Sequence, residues 1–213
     1  MPSARIAKDP EERRRRILAA TIEVIRERGF AGTRVLDISA VAGTSPGLVL
    51  YHFGSLAGAL AEALTFAEDT FYADLERDLG AAAGPVQRLR VMAELGANSS
   101  PAVGDWTLWL ELWVRALRDE TARSTRLTLD RRWRAALRAV VDDGIRGGDF
   151  VVADPGATVL RLASLMDGLA IQLALADPGM TAAKFRRVWL DGAALELGVP
   201  AETFRSRRRK VSS

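Results

Sequence analysis

The sequence predicts an all-α fold of about nine helices, on three observations. Apolar residues recur at helical spacing almost from end to end, strand-like alternation is scarce, and Gly and Pro cut the chain into helix-length pieces. The 213 residues are 48% hydrophobic and 27% charged, enough to bury a sizeable core. The three N-terminal helices are expected to form one unit and those behind them a bundle.

Residues 1–9 are expected to be a flexible arm. The first helix runs from Pro10 to about Arg28, with Glu11 and Glu12 in the opening turn where the helix dipole favours negative charge, and Gly29 ends it. Thr33 is placed as N-cap of a short second helix through Val35, Ile38 and Val41, which Gly43 stops. A third helix follows at once, with Ser45 as N-cap and Pro46 in its first turn, through Phe53. Longer helices are expected over Leu56–Leu79, Val86–Gly96, Trp106–Arg118, Thr121–Arg146, Asp154–Ala176 and Thr181–Leu197. Trp106, Trp109, Leu110, Trp113, Val114 and Leu117 fall on one stripe of the sixth.

Composition excludes several kinds of chemistry. There is no cysteine and a single histidine, His52, so disulfides, thiolate nucleophiles, cysteine-held metals and histidine-rich metal sites are ruled out, and neither a cofactor nor a metal is expected. No HExxH, GxSxG or phosphate-loop motif is present, which argues against an enzyme. The net charge of +3 is uneven. Residues 1–55 hold nine Lys/Arg against six Asp/Glu, residues 56–200 hold sixteen against twenty, and residues 201–213 hold five against one. A basic head, an acidic body and a basic, disordered tail follow, with the head suited to a polyanion. The first residues lack an apolar run and the most apolar stretch, Val159–Ala176, is interrupted by Arg161, Asp167 and Gln172; a cytoplasmic chain with no membrane partner is expected.

Two short helices joined by Ala42, Gly43 and Thr44 and packed on a longer first helix make a helix-turn-helix arrangement, the second helix of which lies in a DNA major groove. Ile38, Ala42, Val49 and Phe53 can point inward, leaving Ser45, Pro46, Gly47, Leu48, Tyr51 and His52 toward solvent. Such a face fits base edges and thymine methyls; the alternative at this point is a merely solvated helix surface. Among Arg13–Arg16, at most two side chains can face one phosphate backbone.

The series Ile17-Leu18, Ala20, Gly29-Phe30, Thr33, Asp37-Ile38 and Ala42 through Phe53 resembles the DNA-binding domain of the TetR family of transcriptional regulators over about residues 10–60. That resemblance implies a DNA-binding domain over 10–55, a ligand-binding and dimerisation domain over 56–200, and a homodimeric repressor released from a palindromic operator by a small-molecule effector. An activator or a ligand-independent regulator of the same fold and a non-DNA-binding interaction module are the alternatives. The implied DNA-contacting set is Thr33, Arg34, Thr44, Ser45, Pro46, Gly47, Leu48, Tyr51 and His52. Leu50 and Leu56 depart from the family pattern, in which Tyr and Lys contact phosphate; Tyr51 and Arg34 are expected to supply substitutes. The segment Leu108–Trp113, with Ala116–Asp119 and Asp167–Leu169, resembles the branch that includes choline-responsive repressors.

In the body, Trp106, Trp109, Trp113 and Trp133 are expected either to fill the core or, with Phe66, Met92 and Met166, to line a pocket for an apolar or cationic molecule. The helix over Asp154–Ala176 is apolar nearly all round, so a partner subunit is expected to cover it. The interface is expected to use Leu162, Leu165, Leu169, Leu173, Phe185, Val188 and Trp189.

Overall fold

The computed structural model describes residues 9–97 and 106–205 and divides into two compact units, Met1–Phe71 and Tyr72–Ser213. The expected boundary at residues 55 and 56 thus moves into the middle of a helix. Eight residues of the expected N-terminal arm lie outside the described residues, and the ninth, Asp9, is the first helix's cap: its carboxylate accepts from the Glu11 N–H at 3.1 Å.

Helix α1 (Pro10–Gly32) buries Ile17, Leu18, Ile22, Val24 and Ile25 and loses helical geometry at Gly29, where φ is 67°. Helix α2 (Val35–Val41) begins after Arg34, not Thr33. Gly43 then turns in the left-handed region, with φ of 58°, into α3 (Pro46–Phe53). The Ser45 hydroxyl caps α3 by accepting from the Leu48 N–H at 3.3 Å, while Val49 and Phe53 point into the core against Ile38 and Ala42, all buried. Helix α4 (Leu56–Ala81) starts so close behind α3 that a Cβ on Gly58 would lie 2.2 Å from the Phe53 carbonyl oxygen. Only glycine allows that approach.

The second unit holds the end of α4 with α5 (Pro85–Ala97), α6 (Trp106–Ala116), α7 (Glu120–Gly147), α8 (Pro155–Ala174) and α9 (Ala182–Leu197). Side-chain caps set three of these helices: Asp119, Asp154 and Thr181 accept from the backbone N–H groups of Ala122, Ala157 and Lys184 at 3.0 to 3.1 Å. Helices α5, α7, α8 and α9 pack around Leu89, Met92, Leu137, Leu162, Met166 and Phe185, all essentially inaccessible. Arg161 clamps α8 to α9 by donating two bonds of 2.6 Å to the Glu196 carboxylate, which that guanidinium holds below its ordinary pKa. Taken singly, α8 is the one described helix long and apolar enough to cross a bilayer; it packs between α7 and α9.

Several expectations about the body need correction. Helix α6 turns Leu108, Leu112 and Ala116 inward, while Val114 and Leu117, counted on the tryptophan stripe, are 59% and 74% exposed. Phe185 and Trp189 are wholly buried within the single chain, and the Trp189 indole N–H donates to the Leu162 carbonyl at 3.1 Å. Leu162 and Leu169 are buried as well, so these four residues fill the chain's own core and are unavailable to a partner, whereas Leu165, Leu173 and Val188 are half-buried. The tail does not begin at residue 201. Ala201–Phe204 forms a 3-10 turn that buries Phe204, with Arg90 donating to the Thr203 carbonyl at 3.1 Å and Arg205 paired to Asp191 at 2.9 Å. The rest of the expected tail, 206–213, lies outside the described residues.

Candidate functional site

The N-terminal unit presents the outer face of α3. Ser45, Gly47, Leu50 and Tyr51 are exposed, Tyr51 by 81%, and Thr44, Pro46, Leu48 and His52 are half-exposed. This division follows from helical spacing: Val49 and Phe53, four apart, anchor one side, so residues 47, 50 and 51 are carried outward. The Tyr51 ring meets the His52 ring edge-on at 5.5 Å between centroids, and His52 lies 6.1 Å from Phe53, an aromatic series that fixes the outer pair on the buried one. His52 Nε2 is buried and has no hydrogen-bond partner within the described residues.

Thr33, expected to contact DNA, and Arg14, one of the basic run 13–16, are engaged within the chain. Thr33 is 3% exposed and its hydroxyl turns back to donate to the Gly29 carbonyl at 2.8 Å, because it ends α1 and lies before the Arg34 cap of α2. Arg14 is engaged internally: it pairs with Glu62 on α4, and its guanidinium lies 5.2 Å from the centre of the Phe53 ring. Arg34 is exposed at the N-cap position of α2, beside the ion pair of Arg28 with Asp37 at 2.6 Å that ties α1 to α2. Leu50 is 42% exposed on the same helix as Tyr51. Its exposure was readable from the spacing of Val49 and Phe53.

Six of the seven residues expected to line a pocket fall in the second unit. Met92 and Met166 are fully buried core, Trp106 donates its indole N–H to the Gly96 carbonyl at 2.9 Å, and Phe66 belongs to the other compact unit. Trp109, Trp113 and Trp133 are half-buried, and the Trp113 indole nitrogen is buried with no acceptor among the described residues. A groove of about 450 Å³ lies elsewhere, between the end of α4, α5 and α7, and none of the seven lines it. Leu75, Leu79 and Val140 supply its apolar surface, and alanines at 135, 136 and 139 leave the space open. Tyr72 and Arg132 stand together in its wall, the guanidinium carbon 4.0 Å from the ring centre, and the Tyr72 hydroxyl donates to the Leu129 carbonyl at 3.0 Å. The sequence signal for this groove is the run of small residues on α7, which reads as an ordinary helix face until its neighbours are known.

The family relationships agree with this architecture. Residues 17–63 match the model of bacterial regulatory proteins of the tetR family, and residues 85–204 match that of the BetI-type transcriptional repressor C-terminal domain. The HTH-type transcriptional regulator BetI of Burkholderia thailandensis is 30% identical over 176 residues, covering 78% of this chain and 84% of that protein. Its counterpart in Paraburkholderia phytofirmans is 28% identical over 183 residues, covering 83% and 89%. Among solved structures, a transcriptional regulator from Saccharomonospora viridis in complex with choline superposes with a TM-score of 0.79 at 27% identity, covering 85% of this chain and 95% of that one. These relatives are regulators and not enzymes, as the absence of catalytic motifs led us to expect. With a helix-turn-helix head and a matching C-terminal body, the chain belongs to the TetR family of DNA-binding transcriptional regulators, its C-terminal domain of the BetI repressor type.

Proposed function

We propose that the protein is a homodimeric repressor that binds a pseudo-palindromic operator through α3 and releases it when a small-molecule effector occupies the C-terminal body. The observation that carries this reading is the face of α3: a capped, buried-anchored helix that offers Ser45, Gly47, Leu48, Leu50, Tyr51 and His52 outward with few charges. Small groups, a methyl-rich leucine pair and an aromatic hydroxyl suit base edges and thymine methyls, and Arg34 and Thr44 suit flanking phosphates. A twofold dimer would set half-sites about 34 Å apart or a multiple of it.

For the dimer, α8 and α9 offer Leu160, Leu175 and Leu195, exposed by 50%, 70% and 85%, beside the half-buried Leu165, Leu173 and Val188. Apolar side chains concentrated on two packed helices favour a second copy of the same surface. For the effector, the groove between α4, α5 and α7 has the volume of a small-molecule site, and α4 contributes residues to both compact units. A ligand there would bias a two-state dimer, and by reciprocity operator DNA would weaken ligand binding by the same factor. As a repressor acting on DNA, the protein would work in the cytoplasm.

The decisive experiment binds the purified protein to sheared genomic DNA and sequences what is retained. Enrichment of one inverted-repeat site that survives nonspecific competitor supports the reading; retention equal for all sequences overturns it.

A further inference from the structure

The groove's chemistry is more specific than its volume. Its aromatic surface is Tyr72, 4% exposed and held by its hydroxyl on the Leu129 carbonyl, and the ring already carries a cation: Arg132 lies 4.0 Å over its centre. A quaternary ammonium seeks that same aromatic face, so here it would have to displace a guanidinium and then sit beside it. Arg88, also in the lining, donates to Asp143 at 2.8 Å and to the Leu79 carbonyl at 3.3 Å, while the other oxygen of Asp143 accepts from Arg146 at 3.1 Å. Asp143 is therefore shared by two arginines. Glu76, exposed, is the one carboxylate in the groove's lining, against the two guanidiniums of Arg88 and Arg132. Between the charged walls lie Leu75, Leu79, Val140 and the alanines, an apolar floor about as long as two turns of α7.

We propose that this groove takes an amphipathic anion, a single carboxylate head on an apolar body, and rejects the matching cation; the proposal deepens the effector reading above and rests on it. A guanidinium stacked by its face keeps its N–H groups in the plane, and five donors leave capacity for a ligand carboxylate beside any partner already present. The apolar body would cover Leu79, Val140 and Ala139.

Three probes with one tail and different heads separate the alternatives: decanoate, decanol and decyltrimethylammonium, titrated calorimetrically into the full-length protein below their micellar concentrations. Decanoate should bind at least tenfold tighter than decanol, and the ammonium more weakly than either. Arg132→Gln should erase the advantage of decanoate and, by uncovering Tyr72, improve the ammonium. Ala139→Trp, at an exposed position, should remove decanoate binding while the circular dichroism and melting temperature stay unchanged. Ammonium binding equal to or tighter than decanoate in the parent protein, or unchanged decanoate binding in both variants, overturns the proposal. If decanoate binds with this selectivity but operator affinity does not respond, the anion site stands and the effector reading of the groove falls.

Discussion

A methyl group at position 144 would lie 2.1 Å from the Phe150 ring, which folds back over the end of α7 and is itself buried. Neither the ring nor the helix has room to retreat, so Gly144→Ala should destabilise the protein by about 3 kcal/mol in urea melts, and by much less in a Phe150→Ala background. Tyr51 is the opposite case. With 81% of its surface exposed, Tyr51→Ala should leave the melting temperature unchanged while weakening operator binding at least tenfold in an anisotropy titration, as loss of one direct contact implies. Residue-level reading from sequence succeeded where local spacing decides the outcome, as for Ser45, Tyr51 and the buried pair Val49 and Phe53. It failed for Thr33, whose hydroxyl turns back to the Gly29 carbonyl instead of capping α2, and for Tyr72 and Arg132, which meet only after α4 and α7 pack.

Among elements, α8 carries the most unusual group. Burial, chiefly, and the nearby charge of Asp130 push the Asp167 carboxyl from its ordinary 3.8 up to about 6, against the opposing pull of Arg134 and Arg126. The folded chain thus holds that proton more tightly than the unfolded chain does, so this group's contribution to stability is greatest below 3.8 and is lost as pH rises through about 6. Asp167→Asn should therefore raise the melting temperature at neutral pH, with the gain shrinking as pH falls through this window and vanishing below it. The starts of α3, α8 and α9 were legible at Ser45, Asp154 and Thr181, because capping is a local interaction, whereas Asp9, placed in a flexible arm, and Asp119, two residues before the expected start at Thr121, were not read as the caps of α1 and α7. The orientation of α6 was not legible. Apart from Thr107, Glu111 and Arg115 the helix is apolar nearly all round, so Leu108, Leu112 and Ala116 competed with the tryptophan stripe, and only packing against α7 chose between them.

For the molecule as a whole, its modest charge is concentrated where the proposed function needs it, and part of the head's basic run is spent internally: Arg14 holds Glu62. Arg34 is exposed instead, so Arg34→Ala should reduce the slope of log affinity against log salt by about 0.9 per head, nearly two per dimer, with little change in sequence preference. Doubling of the mass in light scattering, abolished by charged substitutions at Leu160 and Leu195, would test the dimer surface; a monomeric parent protein that still binds an inverted repeat cooperatively would refute it. The distribution of indoles has a practical consequence. All five tryptophans, Trp106, Trp109, Trp113, Trp133 and Trp189, belong to the C-terminal unit, and the head has none. Intrinsic emission excited at the indole band is therefore a built-in, label-free reporter of the body alone, and any change in it on adding operator DNA would be optical evidence that an event in the head is felt there.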